Sequence, residues 1–445
     1  MADNPPSHAT RACPSRLAPA AFFPVSNASL PDPLSPGADI SRRMTPVERR
    51  ASVSLASIFG LRLLGLFLVL PVFALEARRY PGGDDPALVG LAMGIYGLTQ
   101  AFLQMPFGFA SDRYGRKRVI VVGLLVFALG SFIAAFAGSL HGLVVGRAIQ
   151  GAGAVSAAVT ALLADQTRDV VRTKAMALVG GSIGLAFALA LVLAPTLAAH
   201  IGLAGLFGLT GLLALAGVAA VLWWVPAEPV HAAGARRGRL SELWGQRDLL
   251  RLNFGVFVLH TVQLSMWVAV PALLVQAGLP KERHWWVYLP AVVASFVVMG
   301  GALFPLERRG YLRAALRGSV GLVALVQAGL LVLALLGPQA AAWGVAPLGL
   351  LLLVFFCGFN ALEASQPSLV SRMAPGALRG SALGVYNTLQ SLGLFAGGAL
   401  GGLLVSHVGA AGLFSVTLLL CLLWLAVTWG MAPPARPAGG SSLDR

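Results

Sequence analysis

Gly108-Phe-Ala-Ser-Asp112-Arg113-Tyr-Gly115-Arg116-Lys117-Arg118 joins two long apolar runs and packs one acid, two glycines and four cations into eleven residues. The stretch is too short to be a domain and too basic to enter lipid. It therefore belongs at a bilayer surface, holding two membrane helices in a fixed relation.

The rest of the chain supports that setting. Of 445 residues, 57% are hydrophobic and only 11% charged, too few charges to cover a soluble surface and few enough for a lipid-facing one. The net charge of +15 raises nucleic-acid binding. The cations instead cluster in short loops between apolar runs, a pattern that points to anionic lipid headgroups. Three cysteines without regular spacing (Cys13 in a polar tail, Cys357 and Cys421 in apolar runs) give neither a disulfide framework nor a metal site.

Residues 1–45 are rich in Pro, Ala and Ser, carry no secretory apolar core and are expected to be disordered. Met44-Thr-Pro-Val-Glu-Arg-Arg forms a compact basic lead, and translation starting at Met44 is an alternative to Met1. Apolar runs long enough to cross a bilayer follow at 51–76, 87–111, 117–138, 142–165, 173–199 and 203–225. After a linker at 226–249, six more run over 250–278, 285–306, 314–337, 345–371, 379–405 and 409–431. The expected architecture is all-α, with twelve spans arranged as a bundle over 46–225 and a second over 250–432, ending in a disordered tail at 433–445. Of 32 Lys and Arg, Arg62 and Arg147 fall inside spans, and Arg78, Arg79, Lys281 and Arg283 fall in loops joining odd spans to even ones. All the others lie in the tails, in the opposite loops or at the span ends beside those loops, which places both termini and the linker in the cytoplasm.

The halves echo each other. Glu307-Arg308-Arg309-Gly310 after span 8 repeats the acid-Arg-x-Gly order of Asp112 to Gly115, with Leu303 where Gly108 would stand. Span 5 carries Ala190, Ala194, Ala198 and Ala199 around Pro195. Span 11 carries Gly393, Gly397, Gly398, Gly401 and Gly402 at the same spacing. Paired halves with matching helix-breaking positions are the build of a secondary transporter.

An ionisable side chain inside a span costs about 2.5–3.5 kcal/mol or more. Arg62 lies about 16 Å into span 1, and His260 lies at a similar depth in span 7 with Gln263 on its face. Glu363 follows Asn360 by one turn in span 10. Gln100 and Gln104 share a face of span 2, as do Asn387 and Gln390 of span 11. The amides serve equally as glue between helices, and His260 as a satisfied core histidine. Arg62 and Glu363 favour function. Arg147, Gln150 and Gly151 share one face of span 4, where Gly151 and Gly153 let a neighbour come close. The arginine is then a bundle staple or a cation that helps a nearby group release a proton. Asp165 ends span 4 within reach of Arg113 or Arg116 if spans 2 and 4 are neighbours, or else is a solvated helix-end acid. No catalytic constellation, nucleotide-binding loop or metal-spaced set appears, so an enzyme and a resident cofactor are not expected.

Gly108…Asp112-Arg113-x-Gly115-Arg116-Lys117 resembles motif A of the major facilitator superfamily, and Arg147-x-x-Gln150-Gly151-x-Gly153 resembles its motif B. Within the superfamily the chain is most similar to the YajR-like branch of the drug:proton antiporters, through Leu61-Arg62-Leu-Leu-Gly65, Gly94-Ile-Tyr-Gly97-Leu-Thr-Gln100 and Asn360-Ala-Leu-Glu363-Ala-Ser-Gln-Pro367-Ser-Leu. The resemblance implies two pseudo-symmetric six-helix bundles, a central cavity and alternating access. It implies a cytoplasmic latch of the outward-open state in which Asp112 and Arg116 join Asp165, near the start of span 11, and proton coupling through Arg147. Two departures stand out. The span 5 glycines of the antiporters are alanines here, which stiffens that helix, and the soluble C-terminal domain of the branch is not expected.

These readings converge on a bacterial inner-membrane exporter of small amphipathic molecules, driven by protons, acting as a monomer. Its cavity would be lined by Arg62, Tyr96, Gln100, Gln104, Gln263, Trp267, Asn360, Tyr386, Asn387 and Gln390, with Glu363 and His260 handling protons. The rivals are a proton-coupled importer of a small solute and a non-transporting receptor or scaffold.

Overall fold

A computed structural model of the chain describes residues 43–228, 245–299, 301, 311–374 and 378–431. The two tails, most of the 226–249 linker, and the Glu307–Gly310 echo with Leu303 lie outside the described residues, as does Cys13.

The first helix, Pro46–Glu76, starts where its sequence dictates. The Thr45 hydroxyl accepts from the Glu48 amide, the Glu48 carboxylate accepts from the Thr45 amide at 2.8 Å, and Pro46 takes the first turn. Spans 2 and 3 are the helices Pro86–Tyr114 and Arg116–Ala135, and only Gly115 separates them. Its φ of 97° is a left-handed conformation suited to glycine, so the opening stretch turns on that one residue.

Nine helices among the described residues are long and apolar enough to cross a membrane. Two of them, Asp169–Trp223 and Arg379–Trp429, each hold two spans and reverse at one glycine, Gly202 with φ 63° and Gly409 with φ 69°. Spans 5–6 and 11–12 thus turn by the same device, one in each half. Span 7 is Arg247–Gln276, span 9 Leu312–Leu336 and span 10 Ala346–Met373, while span 8 begins as Trp285–Val298. With that shorter helix the described residues account for the twelve expected spans.

Span 4 departs from the continuous helix expected over 142–165. It is two helices, Leu140–Ala152 and Ser156–Asp165, interrupted at residues 153–155. The cause is close approach: a Cβ on Gly151 would strike the Tyr96 carbonyl, and one on Gly153 would strike the Gly123 carbonyl. Span 4 is drawn so close to spans 2 and 3 that its backbone bends around them.

The outward surface is apolar, with Phe102, Phe136, Val297, Leu325, Leu350 and Leu419 exposed, as a lipid-facing surface requires. Trp223 and Trp429 end spans 6 and 12 and remain exposed, where an interfacial aromatic belt would place them.

Spans 2 and 11 run antiparallel and meet through glycine. A Cβ on Gly90 would collide with backbone of Gly398 and Gly402, and one on Gly94 would sit 2.7 Å from the Phe395 carbonyl oxygen. Further joints between the halves lie between Phe187 and Phe356, whose rings meet edge-on at 5.9 Å, and between Lys281 and Glu76. Glu76 is almost fully buried and also pairs with Arg79 at 2.9 Å. At the opposite end of span 11, the Cβ positions of Gly380 and Gly384 have nothing within 4 Å among the described residues. The halves are therefore joined at the Pro86 end.

His284, beside that joint, is buried, and burial pushes its imidazole down to about 4. A histidine depressed in the fold stays neutral there while the unfolded chain protonates near pH 6.5, so it stabilises less as pH falls from 6.5 toward 4. Thermal unfolding of the purified protein should therefore show a loss of stability between pH 7 and pH 4.5 that His284→Gln reduces. An identical loss in the variant would remove His284 as its source.

Candidate functional site

Three groups of polar residues stand in this scaffold. The first is the loop of the opening stretch. Arg116 donates to Asp112 at 2.7 Å, to the Ser111 hydroxyl at 3.0 Å and to Asp165 at 2.6 Å. Of the two partners the sequence offered Asp165, the structure provides Arg116. Arg116 is largely covered while both acids are partly exposed, so each pair is screened on one side. Arg113 lies over the Tyr114 ring at 5.5 Å instead. Gly108 faces Ala157, its Cβ position 3.9 Å from that side chain, which brings spans 2 and 4 side by side.

One member of this loop was not legible in sequence. Glu228, just past span 6, accepts a hydrogen bond from the Lys117 amide at the open N-terminus of span 3, where the helix dipole favours an anion. Lys117 in turn donates its ammonium to the Val225 carbonyl at 2.9 Å, and Gln166 donates to the Pro226 carbonyl at 3.0 Å. The start of the linker is thus fastened to the loop by three residues. No local pattern at 226–228 signals this, because the partner lies more than a hundred residues away.

The second group is the interior of the first half. Arg147 is 1% exposed and donates to the carbonyls of Ala92 at 3.3 Å and Met93 at 3.1 Å and to Gln150 at 2.7 Å. Gln150 passes the chain on to the Ser131 hydroxyl at 2.9 Å. Arg62, 2% exposed, donates to the Tyr96 hydroxyl at 2.7 Å, the Ser156 hydroxyl at 3.1 Å and the Gly153 carbonyl at 3.4 Å, at the break in span 4. The Tyr96 ring lies beneath the Arg147 guanidinium at 5.1 Å, and Arg62 lies 5.3 Å from the Phe127 ring centroid. Two arginines are therefore held by neutral oxygens and ring faces from spans 2, 3 and 4.

The third group lies in the second half. His260 of span 7, Glu363 of span 10 and Gln390 of span 11 converge. Gln390 Nε2 lies 2.7 Å from His260 Nε2 and 3.2 Å from Glu363 Oε1. Glu363 Oε2 is 3.4 Å from the same imidazole nitrogen, and His260 Nδ1 lies 2.9 Å from the Val256 carbonyl oxygen. Asn360, one turn before Glu363, donates to Ser295 at 2.8 Å.

The residues expected to line a cavity divide by exposure. Gln100, Asn360, Glu363, Asn387 and Gln390 are half-buried. Arg62, Tyr96, Gln104, Gln263, Trp267 and Tyr386 are walled in. Trp267 meets Tyr288 edge-on at 5.4 Å, and the Tyr386 hydroxyl reaches Gln366 at 3.5 Å. In span 5, Ala190, Ala194, Pro195 and Ala198 are buried packing residues, while Ala199 is exposed. Among the described residues no group of three or more His, Cys, Asp or Glu could hold a metal ion.

The profile of the Major Facilitator Superfamily matches residues 52–398. The chain belongs to that superfamily. It is 42% identical over 396 residues to the inner membrane transport protein YajR of Escherichia coli, covering 88% of this chain and 85% of the relative. It is 32% identical to the class B tetracycline resistance protein of Escherichia coli over 124 residues, 27% of this chain and 31% of that one. The solved structure of a variant of the nucleoside transporter NupG superposes with a TM-score of 0.66 at 15% identity over 86% of this chain and 98% of its own, a likeness of fold. Superfamily membership makes the chain a multi-pass membrane transporter and not an enzyme. The paired six-helix bundles expected from the sequence are the superfamily's fold.

Proposed function

We propose that the chain exports small amphipathic molecules across a bacterial inner membrane by proton-coupled alternating access, with both termini in the cytoplasm. The Glu363–Gln390–His260 cluster carries the reading. A carboxylate and an imidazole within 3.4 Å can share one proton, and each gains or loses a charge inside a span when it arrives. Glu363 is the more exposed of the two, with 34% of its side chain accessible against 5% for His260, and so is the point of entry. The imidazole takes up the charge change behind it, where it is more buried.

The orientation rests on the loop cations. It makes the Pro86 end periplasmic and the Asp112 end cytoplasmic, so the joined halves correspond to a state closed to the outside. The Arg116 pairs with Asp112 and Asp165 are already formed in that state. The latch therefore acts through the docking of this ready-made cluster onto the start of span 11 when the cytoplasmic end closes. Asp112→Asn should insert normally and lose transport, and wild-type flux at matched expression would overturn the latch.

Everted vesicles supplied with ethidium test the whole reading. Ethidium should accumulate when a pH gradient, acid inside, is imposed, and Glu363→Gln should abolish the dependence on the gradient. If the variant retained full dependence, Glu363 would not carry the proton. Uptake of a solute into intact cells with alkalinisation outside would replace export by import, and a protein that moved neither would be a receptor or scaffold.

A further inference from the structure

The amide of Gln390 holds the proton-handling pair in a single arrangement. His260 Nδ1 lies 2.9 Å from the Val256 carbonyl, an acceptor only, so Nδ1 carries hydrogen. In the neutral imidazole Nε2 is then a lone-pair acceptor. The Gln390 nitrogen meets it at 2.7 Å and meets Glu363 Oε1 at 3.2 Å. An amide nitrogen has two hydrogens, and this geometry uses one for each partner. Neither neighbour can be served by the amide oxygen while the imidazole is neutral and the carboxylate ionised.

We infer that Gln390 is a positioning residue that converts protonation of the His260–Glu363 pair into a change of contact between spans 7, 10 and 11. This rests on the proton-coupling reading above. When a proton binds Nε2, the imidazole has hydrogen on both nitrogens, and a donor faces a donor across 2.7 Å. The amide must turn over so that its oxygen accepts from Nε2, and the hydrogen it gave to Glu363 is withdrawn. Glu363 Oε2, which has no hydrogen-bond partner among the described residues and lies 3.4 Å from Nε2, becomes the ionic partner of the imidazolium. One proton thus replaces a bridge that ties span 11 to span 10 with an ion pair that ties span 7 to span 10.

The surroundings focus the effect on the side chain. One turn along span 11, a Cβ on Gly393 would strike the Phe257 carbonyl, and Gly397 is pressed against Thr261 in the same way, so the backbones of spans 7 and 11 are in direct contact beside the cluster. The Phe359 ring of span 10 meets the imidazole edge-on at 6.0 Å. Among the described residues the titratable neighbours of the cluster are His260, Glu363 and Tyr386 of span 11, whose phenol interacts with Glu363. Arg62 and Arg147 lie in the other half with their own oxygen partners.

Spin labels at Asp84 and His407, both exposed at the joined end on opposite halves, provide the readout in purified full-length protein with its native cysteines removed. The wild type should shift between joined and separated distances as pH changes. Gln390→Met keeps the side-chain length and removes the amide. It deletes two donors that favour the unprotonated pair, to the imidazole and to the carboxylate, against one acceptor that favours the protonated imidazole, a net loss of one hydrogen bond on the unprotonated side. The midpoint should therefore move to higher pH by about one unit, the size expected for a lost hydrogen bond. Gln390→Leu should move it in the same direction and guards against misfolding of the first variant. An unchanged midpoint in folded variants would overturn the role of Gln390 while leaving proton coupling intact. A wild type whose distances ignore pH would overturn the coupling itself and this role with it.

Discussion

Gly90→Val should abolish transport while leaving a folded, membrane-inserted protein. At Gly90 the added carbons would meet backbone of Gly398 and Gly402, not the flexible end of a side chain, so span 11 cannot yield locally. The halves must separate at the Pro86 end, which also pulls Lys281 from Glu76. Overpacking costs about 1–3 kcal/mol, and as a bias between two conformations that is about 5- to 150-fold in population. The joined state would become a minor one, and a transporter that cannot visit it cannot complete its cycle. Spin labels at Asp84 and His407 should report the longer distance under all conditions. Gly208→Ala, at a site with open space around its Cβ, should retain transport. If Gly90→Val kept wild-type flux and the short distance, the glycine contact would not be where the halves close.

Such contacts mark the boundary between what the sequence reveals and what it hides. Apolar length alone identifies the spans, because a bilayer imposes one helix length on every crossing. The glycines of span 11 are visible as a pattern and read as helix-breaking positions, but the helix runs unbroken through them to Gly409 and they serve close approach instead. Their partner is not visible: Gly90, Gly94 and Gly97 of span 2 read as ordinary small residues until the halves are assembled. The same holds for the break in span 4. Gly151 and Gly153 announce closeness, but only the neighbouring carbonyls of Tyr96 and Gly123 show that the helix bends there. Among the polar residues, Arg147 and Gln150 were legible as a pair because i and i+3 share a helix face. Arg62 was legible as costly but not as walled in, since burial depends on the direction its side chain takes between spans 2, 3 and 4. His260, Glu363 and Gln390 lie on three separate helices, and their convergence exists only in the fold. Glu228 illustrates the limit most clearly, as a linker acid that ends up capping a helix on the far side of the sequence.

The remaining large effect concerns Arg147. Its planar guanidinium serves the Ala92 and Met93 carbonyls and Gln150 at once while lying over the Tyr96 ring. A lysine at this position has a compact tetrahedral head that cannot span two carbonyls and an amide or stack in the same way. Arg147→Lys should therefore lose two of the three contacts while keeping the charge. At about 0.6 kcal/mol for each hydrogen bond between helices in a membrane, with the ring contact adding about 0.5–1 kcal/mol, the loss is about 2 kcal/mol. The unfolding midpoint in detergent should fall by several degrees, and Arg147→Met should fall further because Gln150 would lose its acceptor role in a dry interior. Gln150→Leu combined with Arg147→Met should be less damaging than the sum of the two, since each single change strands the other partner. Transport separates the two readings of this arginine. If Arg147 only staples spans 2 and 4, flux in Arg147→Lys should follow the amount of folded protein. If it couples protons, flux per folded molecule should fall at least tenfold and its dependence on the pH gradient should weaken. The second outcome is expected, because this permanent cation is buried at membrane depth in the first helix of span 4, where a packing role alone could be filled by an apolar side chain at lower cost.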